Sequence, residues 1–221
     1  MTKETKPILY NFYRSSASYR VRIALAWKGI DYEYRAIDIS TGMQKSEEYV
    51  KLNPSAKVPL FITKEGNILS QTVAILEYLD NVYPDRPMMP REAFTAAQVR
   101  SIVQVIACDI HPLQNTGVLE QKWGSDMEKK TECASYWIAK GFTGLEQMLA
   151  KTAGTYCVGD HITMADMFLA PMVTNAHRWK VDMKPFPIIT RISDTLMTLP
   201  EFSQAHPTNQ PDYPEELKTS A

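Results

Sequence analysis

Three prolines fall within eight residues at Tyr83–Pro90, as Pro84, Pro87 and Pro90, and they divide the chain more sharply than any other feature. Proline lacks a backbone N–H and disfavours helix in the residue before it, so neither a helix nor a central strand should run through this segment. It reads as an extended connection with a boundary at residue 88. The 221-residue chain is long enough for a core on each side, in a domain 1–88 and a domain 89–221.

The two sides carry different patterns. Before the prolines, strand and helix signals alternate. Pro7 to Tyr13 is β-branched and aromatic and runs into Arg14-Ser15-Ser16-Ala17-Ser18, a small polar stretch suited to a turn and a helix start. Helical spacing then runs from Tyr19 to Lys28 and stops at Gly29. A second strand is expected over Tyr32–Ile39 and a short helix over Glu47–Lys51, ended by Asn53-Pro54. Val58–Ile62 and Asn67–Leu69 flank Lys64-Glu65-Gly66, which reads as a hairpin, and Gln71–Val82 returns to helical period. The expected order is β-α-β-α-β-β-α. Beyond the prolines the spacing predicts helices over 93–118, 127–150, 164–178 and 188–198, with an irregular tail after His206.

Charge and cysteine content narrow the partners. Lys plus Arg is 24 and Asp plus Glu is 25, with no basic run to track a phosphate backbone, so nucleic acid is not expected as a partner. No apolar stretch approaches the ~18 residues that span a bilayer, and no membrane association is expected. Cys108, Cys133 and Cys157 are odd in number and lack CxxC spacing, which suits reduced thiols in a cytoplasmic protein.

Several short patterns can carry chemistry. Ser15-Ser16-Ala17-Ser18 lies where a strand hands over to a helix, so hydroxyls and backbone N–H groups converge near a positive helix end, a seat for an anion. Redox proteins with CxxC place their thiols at this point of a similar unit. With no sulfur here, a hydroxyl can only donate to a thiolate that a ligand supplies. Serines before a helix also serve as plain caps, and both readings stand. If Val58-Pro59 is cis, Val58 presents its backbone outward to an extended, peptide-like ligand. Gln71-Thr72 can cap a helix or hold a carboxylate. Thr163-Met164-Ala165-Asp166 is a capping box. Cys108 and His111 have C-x-x-H spacing without a second pair, so no metal site is expected. Arg178 closes a helix, where a cation is favoured in any case, and is also placed to receive a substrate carboxylate. Nucleotide-binding, serine-hydrolase and zincin motifs do not occur.

Ser15-Ser16-Ala17-Ser18-Tyr19-Arg20-Val21-Arg22-Ile23-Ala24-Leu25, with Asn53-Pro54, Val58-Pro59, Ile110-His111-Pro112-Leu113-Gln114-Asn115, Tyr156 to Asp166, Asn175 to Asp182 and His206 to Asp212, resembles the zeta-class glutathione transferases, the maleylacetoacetate isomerases. The likeness runs nearly end to end. It implies an α/β thioredoxin-like domain that binds glutathione, an all-α helical domain that supplies the walls for a second substrate, and a homodimer.

By position, Ser15 is the catalytic serine that hydrogen-bonds the glutathione sulfur, and Ser15, Ser16, Ala17, Ser18, Tyr19 and Arg20 form the sulfur-side loop. Val58 pairs with the cysteinyl backbone, and Gln71 and Thr72 hold the γ-glutamyl end. Gln44, His111, Asn115, Thr116 and Gly117 line the site, and Arg178 receives a substrate carboxylate. The implied reaction is reversible addition of the thiolate to a cis double bond, rotation and release of the trans isomer, with maleylacetoacetate the diacid substrate in phenylalanine and tyrosine breakdown. Conjugation of glutathione to small electrophiles such as α-haloacids is the alternative, and a non-catalytic module of this fold is a third. The chain departs from the family pattern at Ala17 for a cysteine, Tyr19 for a tryptophan, Thr72 for a serine, His111 for a frequent glutamine and Gly117 for a serine.

Overall fold

The computed structural model describes residues 5–218. They pack into two compact units, one of residues up to Arg86 together with the segment from Pro200 onward, the other Pro87–Leu199. The cut falls between Arg86 and Pro87, within the proline segment, and the chain from Pro200 onward packs with the first unit.

The first unit has the expected order: β1 (Ile8–Asn11), α1 (Ser16–Trp27), β2 (Glu33–Ala36), α2 (Glu47–Leu52), β3 (Leu60–Ile62), β4 (Ile68–Ser70) and α3 (Thr72–Val82). The sheet runs β2-β1-β3-β4, with β1 and β2 parallel and the other pairs antiparallel. The β3–β4 turn uses Gly66 at φ 88°, a conformation that favours glycine. Helix α1 begins three residues earlier than its apolar period suggests, because Ser15 caps it by accepting the Ser18 N–H at 3.2 Å. It ends where Gly29, at φ 65°, lets the Ile30 N–H reach the Leu25 carbonyl. Every residue from Ser18 to Leu25 is buried, and α1 packs on α3 over Leu9, Leu60 and Phe61 of the sheet.

The second unit is helical: α4 (Ala93–Gln104), α5 (Thr116–Trp123), α6 (Met127–Thr152), α7 (Met164–Arg178) and α8 (Pro187–Met197). The helix expected over 93–118 is broken. Pro112 cannot continue an α-helix, and the chain passes through a π turn at Val105–Ile110 and a 3-10 turn at His111–Gln114 before Asn115 caps α5. Helix α6 comes close to this π turn: a Cβ on Gly141 would stand 2.3 Å from Ile110 Cγ1. Helix α7 is buried on all sides from Met164 to Val173 and is the centre of the unit.

The tail also differs from expectation. Preceded by α9 (Pro200–Ser203), it carries after His206 a 3-10 turn at Pro207–Asn209 and α10 (Glu215–Lys218). One further correction concerns hydropathy. Within the helical run Ala93–Trp123 an 18-residue window reaches a mean hydropathy of 1.2, enough by length and composition to cross a membrane, where no such stretch was expected. Val99, Ile102, Val103, Ile106 and Ile110 from this run are buried in the unit's core, which accounts for its apolar character.

Candidate functional site

Strand register gathers the candidate residues of the first unit. Tyr10 pairs with Leu60 and Leu60 with Ser70, so the chain leaving β1, the chain entering β3 and the chain leaving β4 all lie at one end of the sheet. Those three segments contain Ser15, Val58 and Gln71-Thr72. The parallel pairing of Asn11 with Ala36 sends the β2 exit, and Gln44 beyond it, to the same end.

Ser15 is half-buried at the N-terminus of α1. Its N–H donates to the Phe12 carbonyl at 3.0 Å and its Oγ accepts from Ser18, while no described residue accepts its hydroxyl proton. The first turn of α1 contains no acidic side chain, and neither does that of α3. At α3 the N-cap residue Gln71 makes no side-chain capping bond and sits at φ 72°, with Thr72 buried behind it. Two helix N-termini of 12 and 11 residues are therefore presented at one sheet end without a built-in anion.

Val58 joins Pro59 through a cis peptide bond. The Lys57 carbonyl just before it accepts from both Tyr49 Oη, at 2.8 Å, and Asn53 Nδ2, at 2.7 Å. Val58 itself packs against the small core of Ile37, Tyr49 and Leu60. Burial pushes the Tyr49 hydroxyl up to about 12, so it remains a donor at neutral pH. Gln44 donates to the Ile39 carbonyl at 3.3 Å, and its buried Oε1 has no partner among the described residues. Ser16 and Ser18 are buried, and the Ser18 hydroxyl likewise has no partner among the described residues. Ala17 is half-buried. Tyr19 and Arg20 are interior: the Tyr19 hydroxyl donates to the Phe202 carbonyl at 2.9 Å, and desolvation lowers the Arg20 pKa.

In the second unit the candidates are organised by a residue that sequence reasoning passed over. Gln114 is buried, and its Oε1 accepts from Asn175 Nδ2 at 3.3 Å and Trp179 Nε1 at 3.1 Å. Its Nε2 lies 3.4 Å from His111 Nδ1, and His111 Nε2 lies 3.5 Å from Asn115 Nδ2. Asn115 in turn accepts the Gly117 N–H at 3.1 Å, which sets the start of α5 at Thr116. Arg178 is exposed on the last turn of α7, its guanidinium carbon 4.6 Å from the Trp179 ring centre. Gln114 thus ties His111 to Asn175 and Trp179, and His111 reaches Gly117 through Asn115, while Thr116 opens α5 and Arg178 lies beside the Trp179 ring. The available signal was the glutamine inside Ile110-His111-Pro112-Leu113-Gln114-Asn115, a polar side chain in an apolar setting.

Known proteins are similar to this chain in sequence and fold. The profile for the glutathione S-transferase N-terminal domain matches residues 6–81, and that for the C-terminal domain matches residues 138–202. The maleylacetoacetate isomerase of Dictyostelium discoideum is 47% identical over 213 residues, covering 95% of this chain and 97% of its own. A bacterial maleyl pyruvate isomerase, described as a zeta-class glutathione S-transferase, superposes with a TM-score of 0.89 at 35% identity over 94% of this chain and 100% of its own. The maleylacetoacetate isomerase of Anaeromyxobacter dehalogenans, solved with glutathione in the active site, superposes with a TM-score of 0.86 at 34% identity over 95% of this chain and 98% of its own. The same enzyme is also known with dicarboxyethyl glutathione and citrate bound, at a TM-score of 0.84, 33% identity and the same coverage.

Proposed function

This chain belongs to the glutathione S-transferase family, to its zeta class of maleylacetoacetate isomerases, and we propose on that footing that it converts maleylacetoacetate to fumarylacetoacetate with glutathione as its cofactor. The observation that carries the reading is Ser15: a half-exposed hydroxyl at a helix N-terminus, its oxygen already accepting one bond and its proton still to be placed.

The residues fit glutathione. This tripeptide has two carboxylates, a peptide backbone and a thiol, and the sheet end offers two helix N-termini free of acids and a glutamine oxygen that lacks a donor. In this reading Ser15, Ser16, Ala17 and Ser18 hold the sulfur side, the Val58 backbone meets the cysteinyl unit, and Gln71 and Thr72 hold the γ-glutamyl carboxylate. Tyr19 and Arg20 support the loop from inside. Gln44 offers its Oε1 to the ligand, and the resemblance assigns His111, Asn115, Thr116 and Gly117 of the helical unit to ligand binding as well.

When bound, glutathione supplies a nucleophilic sulfur that the isomerisation returns unchanged. Ser15 donates its hydroxyl proton to that sulfur as a hydrogen bond, which favours the ionised form, and the α1 dipole acts in the same direction. Arg178, held beside the Trp179 ring, pairs with a carboxylate of the diacid and orients it. The binding of a dicarboxyethyl adduct by the Anaeromyxobacter relative supports a diacid as second substrate. In this division residues 1–88 serve glutathione and the helices within 89–221 up to Leu199 serve the diacid, while the segment from Pro200 packs with the glutathione unit. The reading also makes the protein a cytoplasmic homodimer. Three cysteines without a disulfide support the compartment, and exposed Ile68, Val82 and Phe94 are apolar surface that a second copy would cover.

The test compares two substrates at one enzyme concentration, maleylacetoacetate and an α-haloacid, each with and without glutathione. Glutathione-dependent isomerisation is expected. Haloacid conjugation at concentrations that give no isomerisation would replace this reading with the conjugating one.

A further inference from the structure

The turn that presents Ser15 is held by side chains from α1 and from the C-terminal segment. Arg22, buried on α1, donates to the Phe12 carbonyl at 3.3 Å, the Tyr13 carbonyl at 3.0 Å and Asn11 Oδ1 at 3.0 Å. The Phe12 carbonyl also receives the Ser15 N–H, so the two bonds share one acceptor. On the opposite side, Asp212 Oδ2 accepts the Tyr13 N–H at 2.9 Å, and Asp212 Oδ1 accepts the Tyr34 hydroxyl of β2.

The rest of the tail is fastened to the same helix and turn. The Tyr19 hydroxyl donates to the Phe202 carbonyl, and Arg22 Nε donates to the Ala205 carbonyl at 3.0 Å. Tyr13 and Tyr213 pack edge to face at 5.4 Å. Buried Gln210 ties the tail to itself through the Gln204 and His206 carbonyls. Burial and the bond to Asp212 both push the Tyr34 pKa up, so its hydroxyl stays a donor across the working pH range.

We propose that the C-terminal segment 200–213 braces the catalytic turn and that Asp212 is a positioning residue for Ser15, acting through the Tyr13 backbone two residues away. This rests on the reading that Ser15 stabilises the glutathione thiolate. Arg22 holds the Tyr13 carbonyl and Asp212 its N–H, so both ends of this residue are restrained, and with the Ser15 N–H on the Phe12 carbonyl they restrict the path from Tyr13 through Arg14 to Ser15. A displacement of about 1 Å at a reacting group is enough to cost ~10²-fold.

The test is the ultraviolet titration of the thiol of bound glutathione, read as thiolate absorbance against pH, with thermal midpoints measured in parallel. Asp212→Ala should raise that thiol's pKa by about one pH unit, a tenfold loss in the thiolate-to-thiol ratio. Tyr34→Phe, which removes only the hydroxyl that Asp212 accepts, should shift it the same way by a smaller amount. Asp212→Asn should stay within about threefold of wild type, because its Oδ1 can accept from Tyr13 while its Nδ2 donates to the Tyr34 oxygen.

A purely structural role would lower the thermal midpoints and leave the titration in place, and that result overturns the proposal. So does an Asn variant as impaired as the Ala variant, since the carboxylate would then be acting by charge. Should Asp212→Ala not fold, Tyr34→Phe decides. Ser15→Ala separates the two layers: if it shifts the titration and neither Asp212→Ala nor Tyr34→Phe does, only the brace is wrong. If Ser15→Ala has no effect either, the Ser15 reading falls and the brace with it.

Discussion

In the proposed reading Ser15 uses one hydroxyl in two ways. Its oxygen caps α1 through the Ser18 N–H, and its proton remains available for a ligand sulfur. The cap places the hydroxyl oxygen before any ligand arrives, leaving only its proton to turn. Ser15→Ala should lower isomerase turnover by ~10²-fold or more, the scale of losing one oriented donor to a stabilised anion. Steady-state rates check this, and a wild-type rate in the variant would move the role to Ser16 or Ser18.

Arg178 is expected to act on the other substrate. Arg178→Ala should raise KM for the diacid by about 10–100-fold, the range of a lost charge-assisted hydrogen bond, with little change in glutathione affinity. Equal losses for both ligands would argue for a structural effect. At this scale the helix-end positions of Ser15 and Arg178 were legible, because each carries a recognisable local signal. Gln114 and Asp212 were not legible. Tyr13 and Asp212 are 199 residues apart, and Gln114 meets Trp179 across 65, distances at which spacing carries no information.

Elements were legible where pattern and punctuation agreed. Gly29 after α1, the Lys64-Glu65-Gly66 turn and the Thr163–Asp166 capping box all fall where a local physical rule puts them. The break at Val105–Gln114 was not read, although Pro112 signalled it, because the apolar period of α4 continues across the π turn through Ile106 and Ile110. The cap of α7 matters to the site, since that helix ends at Arg178. Asp166 is fully buried and accepts from the Cys157 N–H at 2.9 Å, the Thr163 N–H at 2.8 Å and the Thr163 hydroxyl at 3.1 Å. Asp166→Ala strands these donors and should destabilise the fold by about 3 kcal/mol or more, measured by chemical denaturation. A loss well under 1 kcal/mol would mean that the cap is dispensable.

For the whole molecule, the alternation of β and α before the prolines and the helical period after them gave the fold class from local signals. The placement of the tail is a tertiary fact. Residues 200–218 join the first unit because Tyr13, Tyr19, Tyr34 and Arg22 supply partners that no local pattern announces. Light scattering is expected to give twice the 25.1 kDa chain mass, and the monomer mass would exclude the homodimer. The near balance of charge suits a protein whose ligands are small and held by a few placed groups. The most direct test of isomerisation with a recycled sulfur is the glutathione balance. Maleylacetoacetate is converted over many turnovers and the free glutathione is then counted. Conversion should require glutathione and leave its concentration unchanged; conversion without it, or its stoichiometric loss into an adduct, would contradict the proposed reaction.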